Sequence, residues 1–196
     1  SVTAKKLHMK VCHIEAGLRS GDERMPEEIN RLVTDRLSDL LLTPDTLSSE
    51  NLRKEGISDN KIKFVGNIMI DTLESNREKA SKLIIFDILK NNLIGNNDFP
   101  LSTFDFQLSA FALMTMHRPS NVDQKEVLEP IIRFLLDEVS TDMKIYWPIH
   151  PRTQKQLQNF DLWEEVLTHK KLVLLHPLGY NDMLKLNMDA KIIFNN

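Results

Sequence analysis

His13 to Arg31, HIEAGLRSGDERMPEEINR, joins an apolar segment to a proline-opened helix, and that junction decides how the chain is read. Met9 to Ile14 is short and rich in β-formers, the pattern of a buried strand. Pro26 suits the first position of a helix, and Glu27 and Glu28 fall in the first turn, where the dipole favours acids. A strand, a glycine-containing loop and a helix start therefore follow one another. In an open α/β sheet this order puts Glu15 just beyond the carboxyl end of a strand, where ligands bind. Two glutamate sites, Glu15 and the Glu27–Glu28 pair, with Arg19 and Arg24 between them, would bring carboxylates and cations into one crevice. Such a set suits acid–base chemistry beside an anionic leaving group.

Outward from that stretch the same alternation continues. The first eight residues read as the tail of a helix. Ile29, Leu32, Val33 and Leu37 repeat at helical spacing after Pro26, and Leu40 to Leu42 is the next strand. Thr43–Pro44–Asp45 turns into a helix from about Leu47 to Glu55, ended by Gly56. Ile62 to Val65 is a third strand, and a helix follows from about Ile68. A long helical pattern runs from Leu83 to Leu93. Gly95–Asn96–Asn97–Asp98 and Pro100 then break regular structure, which places a boundary between residues 1–100 and 101–196. Beyond it, strands are expected at Ala110 to Thr115, Lys144 to Ile149, Lys171 to Leu175 and Ala190 to Phe194. A helix carries Val127 to Val139, with a kink expected at Pro130. Strand and helix alternate on both sides of the boundary, which predicts an α/β fold of two units with parallel sheets. Each sheet has only three or four strands and would show raw edges, so the chain reads as the interior of a longer two-domain protein.

Composition narrows the function. The 196 residues are 41% hydrophobic and 27% charged with a net charge of -3, ordinary globular values. A pI of about 6.1 argues against a nucleic-acid binder, since no basic stripe accumulates. No apolar run approaches membrane-spanning length and no signal segment opens the chain, so a soluble, cytoplasmic protein is expected. The single cysteine, Cys12, reads as a small buried thiol within the first strand. No dinucleotide fingerprint, P-loop, zinc spacing or nucleophile elbow occurs.

The strand-end rule selects candidates. Four of the six histidines, His13, His117, His150 and His176, fall at such ends, whereas His8 and His169 do not. Arg118 and Arg152 accompany two of them. Each also has a structural reading, because strand ends are where polar side chains become tolerable. Glu15 fits a loop carboxylate bonded to local amides as well. Glu27 fits a first-turn acid paired with Arg31, and Glu28 fits the dipole role best. Phosphate, if bound, needs helix starts and basic side chains, and the turn at Pro119–Ser120–Asn121, after His117–Arg118 and just before a helix, supplies such an end.

HIEAGLRSGDERMPEEINR resembles the signature segment of the non-hydrolysing UDP-N-acetylglucosamine 2-epimerases. TMHRPSNVD (Thr115 to Asp123), WPIHPR (Trp147 to Arg152) and HPLGYNDML (His176 to Leu184) are similar to later segments of that family, in the same order. The resemblance runs through nearly the whole chain. It implies two Rossmann-like domains facing a cleft, the glycosyltransferase-B arrangement, both incomplete in this chain, and a homodimer. It implies reversible inversion at C2 of UDP-GlcNAc to give UDP-ManNAc, with neither a nicotinamide cofactor nor a metal. By position, Glu15 and Glu27 correspond to family carboxylates implicated in proton transfer, and His117 to the histidine that contacts the nucleotide diphosphate. Arg118 and His150 correspond to residues lining a site where some bacterial members hold an activating second substrate. Leu178 and Met183 fall where the family grips uracil, although an aromatic residue is expected in place of Met183. The family's first strands would precede Ser1, and its Asp-Ser-Gly-Gly segment would begin near Asn195–Asn196. Closure about a linker near residues 95–105 would keep freed UDP in place. Other readings are a 2-epimerase of a UDP-diacetamido-glucuronate, a transferase on the same architecture, and an inactive UDP-sugar-binding fragment.

Overall fold

The computed structural model describes residues 1–95 and 110–195. Asn96–Asp98 and Pro100, on which the expected boundary rests, lie outside the described residues. The chain divides into two compact units, residues 1–75 and 76–196. The division falls within the helix Ile68–Ser81. The Ile85–Asn92 helix, which the sequence pattern assigned to the first part, packs with the second unit, because Ile88 and Leu89 bury their side chains in its core.

In the first unit, β1 (Cys12–Ile14), β2 (Leu40–Thr43) and β3 (Ile62–Phe64) form a parallel sheet in the order β1-β2-β3. The helices Pro26–Leu37 and Thr46–Lys54 make the crossovers. Asp45 caps the second, accepting the Ser48 N–H at 2.6 Å and satisfying one of the orphan donors of the helix start. The core is small: Ala16, Leu41, Leu52 and Ile62, with Ile57 against them.

Two expectations change in this unit. β1 is shorter than the apolar segment, and within residues 1–196 Cys12 is exposed at its start rather than buried. The Pro26–Leu37 helix buries Glu28 and Asp35 and leaves Ile29 and Val33 exposed. Its inward face is thus set by two bonded carboxylates, not by the apolar repeat.

The second unit has β4 (Phe111–Thr115), β5 (Lys144–Pro148), β6 (Leu172–Leu175) and β7 (Ile192–Asn195), all parallel, in the order β6-β5-β4-β7. Side chains alternate across a strand, and in this sheet both faces are covered. Ala112, Met114, Ile145, Trp147, Leu172 and Leu174 pack with Leu128, Ile132, Leu135, Leu157 and Val166. Phe111, Leu113, Tyr146, Val173 and Leu175 pack with Ile88, Leu89 and Leu186. Burial on two faces is why these strands read as continuous apolar runs. The helix Lys125–Phe134 stays helical through Pro130 and continues as a π turn over Leu135–Val139. The strands expected from sequence are all present. Among the described residues, no helix is long and apolar enough to cross a membrane.

Candidate functional site

Glu15 follows β1 directly, half-buried, with a left-handed backbone (φ +62°). That conformation is uncommon for a side chain beyond glycine and carries a cost. The next two residues are held on both sides. The Ala16 amide bonds the Leu42 carbonyl at 3.0 Å, extending the β1–β2 pairing. Gly17 is also left-handed, and a Cβ on it would stand 2.3 Å from the Ser48 carbonyl oxygen, so no larger residue fits. Asn51 donates to the Gly17 carbonyl at 3.1 Å.

Two buried carboxylates on the Pro26–Leu37 helix tie down this loop. Asp35 takes His13 Nδ1 at 2.5 Å on one oxygen. Its other oxygen accepts the Gly17 amide at 3.1 Å and the Arg19 guanidinium at 2.8 Å. Glu28 accepts the Ser20 amide at 3.0 Å and the Gly21 amide at 3.1 Å, with Arg31 at 3.3 Å. The Ser20 amide, then the Gly21 amide and Arg31, hold the Glu28 carboxyl below the usual glutamate range against the opposing effect of burial. Glu27, one residue earlier, is exposed to solvent.

The two arginines are not loose cations in a crevice. Arg19 is forked onto Glu55, both contacts 2.7 Å, and reaches Asp35 as well. Glu55 first, and Asp35 after it, hold its guanidinium above the ordinary arginine value. Arg24 is exposed and folds back on Asp22 at 2.9 Å, which lowers the Asp22 carboxyl. The forked Arg19–Glu55 contact is the stronger of the two because Arg19 is largely shielded from water, whereas the exposed Arg24–Asp22 pair contributes little. Sequence reasoning missed Asp35. Its one signal was an acid in the last turn of a helix, where the dipole disfavours negative charge.

In the second unit, His117 follows β4, His150 follows β5 and His176 follows β6, three adjacent strands whose exits share one edge of the sheet. The His117 and His150 rings are 5.5 Å apart between centroids and tilted by 36°. His150 caps the Pro151–Asn159 helix, its Nδ1 accepting the Arg152 amide at 3.1 Å. Nδ1 is therefore the acceptor, and in the neutral ring Nε2 carries the proton. Arg152 is forked onto Asp123 at 2.9 and 2.5 Å, which raises the guanidinium and lowers the carboxyl. The buried Thr153 hydroxyl donates to the Met116 carbonyl, fastening the helix start to the end of β4. Arg118 immediately precedes a helix of only four residues, Pro119–Val122. The turn expected at Pro119–Ser120–Asn121 is itself this single helical turn, and the longer helix expected after it begins at Lys125.

Leu178 and Met183 are half-buried and pack against the same apolar cluster, under β4, β5 and β6. Strand order adds something the sequence could not show. The connections run outward from β4 to β5 and β6 on one side and return to β7 on the other, which makes β4/β7 a topological switch point. A cavity of about 150 Å³ lies there, lined by Met116, Asn121, Phe134, Leu135, Phe194 and Asn195 among others. The Thr115 hydroxyl donates to Asn195 Oδ1 at 2.8 Å beside it.

Two parallel sheets with helical crossovers place the chain in the open α/β class, in which ligands bind beyond the carboxyl ends of strands. Residues 1–196 match the family profile described as UDP-N-acetylglucosamine 2-epimerase, and the chain belongs to that family. It is 37% identical over 194 residues to the UDP-N-acetylglucosamine 2-epimerase of Methanocaldococcus jannaschii, which takes in 98% of this chain and 50% of that protein. It is 34% identical over 186 residues to the UDP-2,3-diacetamido-2,3-dideoxy-D-glucuronate 2-epimerase of Pseudomonas aeruginosa, 94% of this chain and 46% of that one. Its fold is similar to the crystal structure of the M. jannaschii UDP-GlcNAc 2-epimerase in complex with UDP-GlcNAc and UDP. That match has a TM-score of 0.79 at 38% identity and covers 99% of this chain and 50% of the other. The chain spans about half the length of the curated relatives it matches.

Proposed function

We propose that this family member catalyses the reversible C2 epimerisation of UDP-GlcNAc to UDP-ManNAc by elimination and re-addition of UDP. The observation that carries the reading is the placement of ionisable side chains at strand exits, Glu15 after β1, His117 after β4 and His150 after β5, in a 2-epimerase family chain. The proton at C2 is not next to a carbonyl, so direct abstraction is slow. Breaking the C1–oxygen bond to UDP builds positive charge at C1 and acidifies C2–H. A carboxylate takes that proton, a glycal remains, and UDP adds back to C1 as a proton is delivered to the other face of C2. Two faces call for two acid–base groups, and Glu15 and Glu27 take those roles. His117 and Arg118 answer the charge on the departing diphosphate. His150 takes a place in the same substrate region, and Leu178 and Met183 form an apolar seat for uracil. Two Rossmann-like domains about a cleft, paired in a homodimer, form the assembly in this reading.

The test is deuterium entry at C2 of UDP-GlcNAc in heavy water, using the full-length protein. Glu15→Gln and Glu27→Gln should each slow exchange by at least about a hundredfold. Wild-type rates in either variant would remove that residue from the proton path. The identity to the Pseudomonas enzyme favours a second reading, the diacetamido-glucuronate sugar as substrate. Running both UDP-sugars side by side separates the two.

A further inference from the structure

We propose that Asp35 is a positioning residue that holds Glu15 in its working conformation. The inference rests on the reading of Glu15 as a proton carrier. Asp35 contacts the residue two before Glu15 and the residue two after it: His13 Nδ1 at 2.5 Å and the Gly17 amide at 3.1 Å. A third contact, Arg19 at 2.8 Å, links the same carboxylate to Glu55. Glu15 lies between these anchors in the left-handed region, a conformation that costs a glutamate energy and that contacts on either side help to hold. The carboxylate is 1% exposed, and a buried charge is costly unless fully bonded. It also occupies the helix turn least favourable to an acid. Its three partners, all around Glu15, account for the placement. In the neutral His13 ring the contact fixes the Nδ1–H tautomer, because a carboxylate only accepts.

The test uses the full-length protein with UDP-GlcNAc in heavy water, and Glu15→Gln as the reference. Asp35→Asn should lower kcat for C2 exchange by about tenfold to a hundredfold and leave KM within about threefold, the signature of a displaced catalytic group. Nitrogen NMR of His13 should show loss of the Nδ1–H tautomer. Rates are referred to sites that bind UDP, so a smaller folded fraction does not imitate the effect. If Glu15→Gln exchanges normally, the reading of Glu15 fails, whatever Asp35 does. If Glu15→Gln is dead while folded Asp35→Asn keeps its kcat, the positioning role is overturned. Should Asp35→Asn not fold, His13→Asn and His13→Ala decide. An asparagine amide can reproduce the Nδ1–H donor, so His13→Asn should exceed His13→Ala by about tenfold. Equal rates for the two overturn the proposal.

Discussion

Glu28 and Glu27 are neighbours in sequence and opposites in environment, because adjacent helix positions point about 100° apart. Glu27 faces solvent, and Glu28 is buried against the amides of Ser20 and Gly21. Those amides hold the Glu28 carboxyl below its ordinary value. A depressed folded-state pKa means stability that is present above the unfolded value and lost as pH falls through the folded one. Glu28→Gln should therefore melt lower than wild type at neutral pH, and the gap should close as pH drops below about 4. Thermal melts at a series of pH values check this. The motif was legible in sequence, and so were Glu15 and both glutamates. Which of the pair served the loop was not, since only the packed helix tells inward from outward.

At the level of elements, the start of the Pro151–Asn159 helix and the end of β4 are fastened by one hydroxyl. Thr153 is fully buried and donates to the Met116 carbonyl, one residue before His117. Thr153→Val keeps the shape and orphans a buried carbonyl, which should cost about 1–3 kcal/mol in urea unfolding. In the proposed reading it should also weaken UDP binding, because His117 and His150 leave the two elements so joined. The histidines at strand ends could be picked out by the alternation of apolar runs and helices. Their 5.5 Å approach depends on β4 and β5 lying side by side. No periodicity carries that information. The apolar repeat misled once, in the Pro26–Leu37 helix, where carboxylate pairing set the buried face.

Over the whole molecule the two units differ in core. The first buries four apolar residues in its main cluster, and the second buries clusters on both faces of its sheet. Ile14, Phe64 and Val65 of the first unit remain exposed at its strand ends, on both faces of the sheet. Hydrophobic burial scales with apolar area removed from water, and local opening follows where that burial is thin. For residues 1–196 alone, amide hydrogen exchange should be much slower in β4, β5 and β6 than in β1, β2 and β3. Equal protection in the two sheets would contradict this.

By itself the sequence determined the α/β alternation, the positions of the strands and the residues just beyond them, because these depend on local periodicity and on proline and glycine placement. Tertiary structure alone decided the order β6-β5-β4-β7 and hence the cavity at β4/β7. It decided too that Arg19 is held inside a carboxylate cluster, and that Asp35 and Glu28 brace the loop carrying Glu15. Those outcomes are settled by contacts between residues distant in the chain, where the partner that satisfies a buried charge is chosen by geometry and leaves no local mark.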